Sequence, residues 1–329
     1  MSTVFFEATN DRHGTIVSGV SALERRVREV AKHGATRAIM AGAEISLPRP
    51  LPIAVEFVPV GSEPPAGATR ERADVIAGIE LVDDDARKRA EWTLIRTMNK
   101  SWQGPVDALI NWRFSMPITR MLSRRSLAIT PNQVTVLSIL VALFGAAIAT
   151  GRLGVHGWLA FALGGVMMEV QSILDSVDGE LARLRFQYSK FGQWLDNVSD
   201  DVVDNAFVAG VGMGLGGGWQ TLGFVVAGVR LVVALVQYIS VYASTGTGDV
   251  YSFRWFFETG AATSNDVYDP KKISTWLRSL GRRDTYLFIW MVACLAGFPY
   301  WVLGHAAIIT AVYSVLLVLH FVIFRKRHM

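Results

Sequence analysis

Apolar residues are distributed unevenly along this chain. Up to about residue 100 charges are dense, as in "ERRVREVAKHGATR" and "LVDDDARKRAEW"; after Asn132 the apolar residues gather into long blocks. A helix needs roughly 20 apolar residues to cross a hydrocarbon core about 30 Å thick. The blocks predict six membrane helices, near 132–150, 155–177, 194–216, 219–243, 285–299 and 302–324. The fifth is short, and "GFPYW" at 297–301 reads as a tight turn into the sixth.

Between the charged part and the first block lies "GPVDALINWRFSMPITRMLSRRSLAITPNQVT". Val106, Leu109, Ile110, Phe114, Ile118 and Leu122 recur at near-helical spacing against Asp107, Arg113, Arg120, Arg124 and Arg125. That alternation predicts an amphipathic helix lying in a membrane interface, with 101–131 as interfacial helix and linker; a helical linker on a soluble surface is the alternative. "TPN" at 130–132 predicts a helix start, capped by Thr130 or Asn132. Residues 1–100 predict a small α/β domain: a helix in "GVSALERRVREVAKHGA" and buried strands in "TRAIMAG", "IAVEFVPV" and "DVIAGIELV". The fold class expected is a mainly α membrane protein, six transmembrane helices over 132–329 preceded by an interfacial helix and that small cytosolic domain.

Composition agrees, with 51% hydrophobic residues among 329. The formal net charge is only +4, and no basic stripe is studded with aromatics, which argues against nucleic acid and for anionic lipid head groups as partners. The connections at 151–157, 215–219 and 297–305 hold only Arg152, whereas the other helix ends hold Arg183, Arg185, Lys190, the 246–283 loop and the tail "RKRH". Positive residues stay inside, so both termini and the basic ends are expected in the cytoplasm, in a protein integral to the cell membrane. Trp158, Trp219 and Trp301 then mark the opposite interface. The opening "MSTVFFEATNDRHG" lacks the order of a signal peptide. The single cysteine, Cys294, excludes a disulfide framework or cysteine metal site.

Against this apolar background, "LDSVDGELARLRFQYSKFGQWLDNVSDD" (174–201) is anomalous, because ionised groups in hydrocarbon cost a few kcal/mol or more each. Asp175 and Asp178 stand at i and i+3, with Gly179 beside them and Ala182 at i+7. Gly192, Asp196 and Asp200 stand at i, i+4 and i+8 on the next helix, so each set forms one stripe. The short basic turn between them brings the stripes face to face. Four neighbouring carboxylates require cations, and oxygen ligands without His or Cys suit Mg²⁺ or Mn²⁺, with room for two ions. The glycines let a ligand approach the backbone, and Arg183 offers a donor fork to phosphate. Metals, glycine gaps and a basic rim describe a phosphoryl site, with Asp175, Asp178 and Asp196 mainly ligands and the outlying Asp200 the candidate base as well as a possible ligand. An ion or proton pathway in a transport protein is the competing reading of the acids.

Asp175-x-x-Asp178-Gly179-x-x-Ala182-Arg183, eight residues, then Gly192-x-x-x-Asp196-x-x-x-Asp200 resembles the complete signature of the CDP-alcohol phosphotransferase (CDP-alcohol phosphatidyltransferase) family. The resemblance covers about 105–329. It implies a six-helix, usually dimeric membrane enzyme that moves a substituted phosphoryl group from a CDP-alcohol to an acceptor hydroxyl and releases CMP. It further implies metal binding by the first three aspartates, a base in the last, and a nucleotide bordered by Gly179, Ala182 and Arg183, to which Gly192 and Asn132 are added. The order of domains is similar to the branch with an N-terminal nucleotidyltransferase-like domain, such as di-myo-inositol phosphate phosphate synthases. No "GxGTR" loop precedes Val17, so residues 1–100 are expected to be a degenerate remnant with a structural or docking role.

The acceptor is expected to be a polar or phosphorylated alcohol, either an inositol-phosphate-like polyol or, with CDP-diacylglycerol as donor, the polar substrate of a phosphatidyltransferase in phospholipid synthesis. Candidate acceptor-binding cations are Lys190, Arg230, Arg282 and Arg283, with Lys271, Lys272 and Arg278 in the same loop. Arg230, mid-helix, needs an anionic partner, for which Asp201 and Asp204 are candidates. Asp284 is expected to orient Arg283 or cap the fifth helix, and Glu169 and Gln171 to face the core or the dimer. Gly210, Gly212, Gly214 and Gly216 predict close helix packing.

Overall fold

The computed structural model describes residues 2–7, 11–47, 49–97, 104–124, 127–245, 253 and 281–327. The chain forms two compact units. The first comprises Met1–Met98 with Met116–Ile129 and Arg183–Phe186; the second comprises Asn99–Ser115, Thr130–Ala182 and Gln187–Met329.

In the first unit, β1 (Ser2–Glu7), β4 (Ala35–Ala41), β5 (Ala54–Val58) and β6 (Thr69–Arg72) form a parallel sheet in the order β5-β4-β1-β6. Helix α1 (Ala22–Lys32) begins at Ser21, whose hydroxyl accepts the backbone N–H of Glu24. Its Leu23, Val27 and Val30 pack on Val4, Phe6, Ala38 and Met40. β2 (Ile16–Val17) and β3 (Val20–Ser21) make a small hairpin. The stretch 74–82, expected as one strand, is instead a second hairpin of β7 (Val75–Ile76) and β8 (Ile79–Glu80). Ala77 and Gly78 have φ of 49° and 76°, the pair of left-handed residues that a two-residue hairpin turn demands. Neither β1 nor β6 was anticipated; "TRER" has no apolar alternation because it lies at the sheet edge. Helix α2 (Asp84–Thr97) buries Ala90, Leu94 and Ile95 against Val17, Ile76, Leu81 and Leu184. Asp83 accepts the backbone N–H of Ala86 at 2.6 Å, so this acidic run starts a helix.

The second unit is helical. A π-helical turn, Asp107–Asn111, leads into α3 (Trp112–Leu122). Then come α4 (Pro131–Ala149), α5 (Trp158–Arg185), α6 (Lys190–Leu215), α7 (Gly217–Thr245), α8 (Arg283–Leu295) and α9 (Tyr300–Arg327). Thr130 caps α4 in a reciprocal box with Gln133. Among the described residues four of these helices, α4, α5, α7 and α9, are long and apolar enough to cross a membrane. The other two expected spans differ for separate reasons. The first 15 residues of α6 carry Lys190, Asp196, Asp200, Asp201 and Asp204, and the 13 residues of α8 extend only about 20 Å, short of a core about 30 Å thick. The several apolar helices fit a membrane protein. Lys271, Lys272 and Arg278 lie outside the described residues.

The core of this unit joins Ala142, Ala146 and Ala149 of α4, Phe161 and Met168 of α5, Phe207 and Val211 of α6, and Trp290 of α8. Phe207 and Trp290 stack with centroids 6.2 Å apart. Helices α4 and α6 approach closely through glycine: a Cβ on Gly210 would lie 2.4 Å from the Ala146 carbonyl oxygen, and one on Gly214 would lie 2.2 Å from that of Ala149. A residue with a side chain therefore forces the backbones apart. Gly210→Ala is expected to cost about 1–3 kcal/mol, read as a lowered unfolding temperature in detergent. Gly228→Ala on α7, where a Cβ meets nothing within 4 Å, should leave that temperature unchanged or raise it slightly.

Candidate active site

Helix periodicity places Asp175 and Asp178 on one face of α5, and the turn at 186–189 returns the chain so that α6 presents Asp196. Ser189 starts α6 by accepting the backbone N–H of Gly192 at 2.8 Å. Asp175, Asp178 and Asp196 each offer one carboxylate oxygen, and these atoms all lie within 4.8 Å of one another. Asp178 is buried, and Thr135 of α4 donates its hydroxyl to it. A Cβ on Gly192 would lie 2.8 Å from Ser189 Oγ and 2.9 Å from Asn132 Oδ1, so the start of α4 stands close against the first turn of α6 and a side chain there would displace Ser189 or Asn132. Three oxygen donors converging from two helices suit a hard divalent cation, which would relieve the repulsion they otherwise impose on each other.

Asp200, one turn beyond Asp196, lies outside that trio. Its Oδ1 is 2.8 Å from Arg283 Nη1. The same guanidinium reaches Asp175 Oδ2 at 3.8 Å and donates through Nη2 to Asp204 Oδ1 at 3.0 Å and Gln171 Oε1 at 2.9 Å. Asp204 is the hub of these charged contacts. It also accepts from the Tyr286 hydroxyl and lies 3.8 Å from Arg230 Nη2. Arg230 spends its Nε on Asn205 Oδ1 at 3.1 Å, and the Tyr238 hydroxyl donates to Asp201 Oδ2 at 3.1 Å.

Sequence spacing already contained Asp204, since 196, 200 and 204 share one stripe, yet it entered only as a partner for Arg230. Gln171, Tyr286 and Thr135 carried no local signal, because only tertiary packing aims them here. Arg283, expected to face the acceptor, is held by carboxylates. Asp284 does not orient it; Asp284 pairs with Arg282 at 3.3 Å and accepts the backbone N–H of Asp107 at 3.2 Å. Lys190 is exposed at the start of α6 and Arg282 is 37% exposed. Gly179 and Ala182 follow Asp178 on α5, and Arg183 belongs to the last turn of that helix.

Apolar helices thus carry an all-oxygen carboxylate cluster with an arginine beside Asp175. Comparison with known families places the chain among them. Residues 128–315 match the CDP-alcohol phosphatidyltransferase family, and the chain belongs to it. Among curated relatives, it is 30% identical over 214 residues to the bifunctional IPC transferase and DIPP synthase of Aquifex aeolicus, covering 65% of this chain and 43% of that protein. It is 40% identical over 161 residues to the protein of the same description from Rubrobacter xylanophilus, covering 44% of this chain and 34% of that one. It is 35% identical over 89 residues to the archaetidylinositol phosphate synthase of Pyrococcus horikoshii, covering 27% of this chain and 44% of that one. The chain thus matches less than half the length of each of these relatives.

Removing the acid at the hub strands three donors at once. Asp204→Ala is expected to destabilise the protein by about 3–5 kcal/mol, and Asp204→Asn, which keeps an acceptor, by less; thermal unfolding of the purified protein in detergent reads both.

Proposed function

We propose that this protein transfers a substituted phosphoryl group from a CDP-alcohol to a hydroxyl of a polar acceptor, releasing CMP, at the cytoplasmic face of the cell membrane. The observation that carries this reading is the convergence of Asp175, Asp178 and Asp196 within 4.8 Å in a chain of this family. The aspartates would hold two Mg²⁺ or Mn²⁺ ions, with Asp200 at their margin; bound there, such ions neutralise charge on the pyrophosphate and the leaving group.

The chain's own residues divide the remaining work. Gly192 and Gly179 keep side chains out of the way of the nucleotide, Asn132 and Ala182 border it, and Arg183 offers its fork to phosphate. Asp200 accepts the proton of the acceptor hydroxyl as that oxygen bonds to phosphorus and the phosphorus–oxygen bond to CMP breaks. Arg283, 2.8 Å away, orients Asp200 before the acceptor arrives. Because Arg283 and Arg230 are both committed to Asp204, they act here as positioning residues. Lys190 and Arg282 are the cations left to meet an anionic acceptor.

Two of the relatives' names support an inositol-phosphate-like polyol as acceptor: the Pyrococcus protein is named an archaetidylinositol phosphate synthase, and the Aquifex protein is named a DIPP synthase. The family's own description favours CDP-diacylglycerol as an alternative donor, which would place the enzyme in phospholipid synthesis. The distribution of Lys and Arg supports cytoplasmic termini, and the family resemblance supports a homodimer. The N-terminal unit is read as a non-catalytic dock. In support, Arg185 donates to the carbonyls of Leu122, Arg124, Leu127 and Ile129, and Phe186 lies beneath Arg25, Arg28 and Lys32. These contacts would fix the last turn of α5, next to Arg183.

Membranes containing the protein, given CDP-diacylglycerol or CDP-inositol with inositol or an inositol phosphate, should release CMP only with Mg²⁺ or Mn²⁺ present. Asp200→Asn should lower that rate by about 100-fold or more. A lipid-linked product identifies the phosphatidyltransferase; a water-soluble one identifies the polyol enzyme. Absence of CMP from every pairing overturns the proposal.

A further inference from the structure

The last turn of α5 carries Arg183, yet residues 183–186 pack within the N-terminal unit. Gly179 and Arg183 stand at i and i+4 on one stripe of the helix, so the way this turn is held decides the direction in which Arg183 leaves it. Phe186 closes the helix with φ of 55°, a left-handed conformation that a bulky residue adopts only where its surroundings impose it. Glycine is the usual residue at such a cap. The Phe186 ring supplies what glycine lacks: the guanidinium carbons of Arg25 and Arg28 and the Lys32 ammonium lie 5.3, 5.7 and 5.1 Å from its centre.

A helix leaves its last four carbonyls without partners of its own. In α5 all four are taken. The Gln187 N–H donates to the Ala182 carbonyl at 2.9 Å and the Phe186 N–H to that of Arg183 at 3.4 Å, the pair of bonds that a left-handed cap makes. Arginines of the N-terminal unit meet the other two: Arg25 Nη2 donates to the Leu184 carbonyl at 2.9 Å, and Arg49 donates to that of Arg185. Arg25 is 1% exposed and gives the same Nη2 to the Val17 carbonyl at 3.1 Å. Glu24 holds Arg49 at 2.9 Å. Leu184 itself is fully buried beside Val17, Ile76 and Leu94, and the Arg185 side chain is spent on the carbonyls of residues 122–129. Cap, carbonyls and side chains together fix the rotation of this turn about the helix axis, and the cations gathered at its end complement the helix dipole.

We propose that Arg25, Arg49 and Arg185 are positioning residues for the transfer reaction, which rests on the proposed place of Arg183 at the phosphates of the CDP-alcohol. By holding the last turn of α5 they aim the Arg183 fork, so the N-terminal unit sets the affinity for the donor through that one side chain. Arginine suits the task because its rigid fork joins carbonyls of separate segments, as Arg25 joins those of Val17 and Leu184. A lysine ammonium on its flexible stem does not hold that geometry.

Calorimetric binding of CDP to the purified full chain in detergent, with Mg²⁺ present, tests this. Arg183→Ala should weaken CDP by about tenfold or more. Arg49→Ala, at a side chain 27% exposed and therefore outside the core, should weaken it by about tenfold, as should Arg25→Lys, which keeps the charge and loses the fork. In the Arg183→Ala background neither substitution should cause a further loss, because a positioning residue acts only through the group it positions. Arg37→Ala, on β4 and paired with Glu56, should leave the affinity unchanged. Two results overturn the proposal: Arg49→Ala and Arg25→Lys variants that both bind CDP as the unaltered chain does, or losses as large without Arg183 as with it. An unaltered chain that binds no CDP overturns the nucleotide site itself, and the positioning role with it.

Discussion

Arg283 balances the charge of the helical unit. Its guanidinium faces Asp200, Asp204 and Asp175 and donates to Gln171, so one side chain from the start of α8 engages both acid-bearing helices. A carboxylate taken out of water without a counter-charge is strongly disfavoured. The four acids of α6 are therefore tolerable only where cations come to meet them. The position of α8 follows from that requirement: Tyr286, one turn after Arg283, donates to the same Asp204, and Trp290, a turn further, stacks on Phe207 of α6. Charge at one end of α8 and aromatic packing along it fix the same pair of helices.

The spacing of Asp175, Asp178, Asp196 and Asp200 is local and therefore legible: two residue-count rules and one short turn predict facing stripes, and three of the four oxygens do converge. Arg283 lies 83 residues beyond Asp200 in the chain, and nothing in "RRDTYLF" says which of two adjacent arginines turns inward and which outward. Apolar runs gave the helix positions well, but not which of them suffice to cross a membrane, because a run mixed with acids or cut to 13 residues is a weaker signal than length alone implies. In the N-terminal unit the opposite problem arises. "DVIAGIELV" has the composition of a strand, yet Ala77 and Gly78 reverse it, a turn chemistry outranked in the sequence by the apolar residues around it.

The segment before α4 turns its polar residues inward and several of its apolar residues outward. Asn111, Ser115, Thr119 and Ser123, spaced by four, are the buried face, and Leu109, Phe114 and Met121 are among the exposed residues. A helix in water buries its apolar side. Here the polar residues turn inward because they have partners: Asn111 donates to Ser172 and Ser115 to Glu180, both on α5, flanking Asp175 and Asp178 in sequence. The apolar residues turn outward, as they do on a helix whose solvent is the bilayer interface. The same hydrogen bonds that set this orientation also grip the helix that carries the first two aspartates, so the outward turn of the apolar residues and the alignment of the site are consequences of one packing choice.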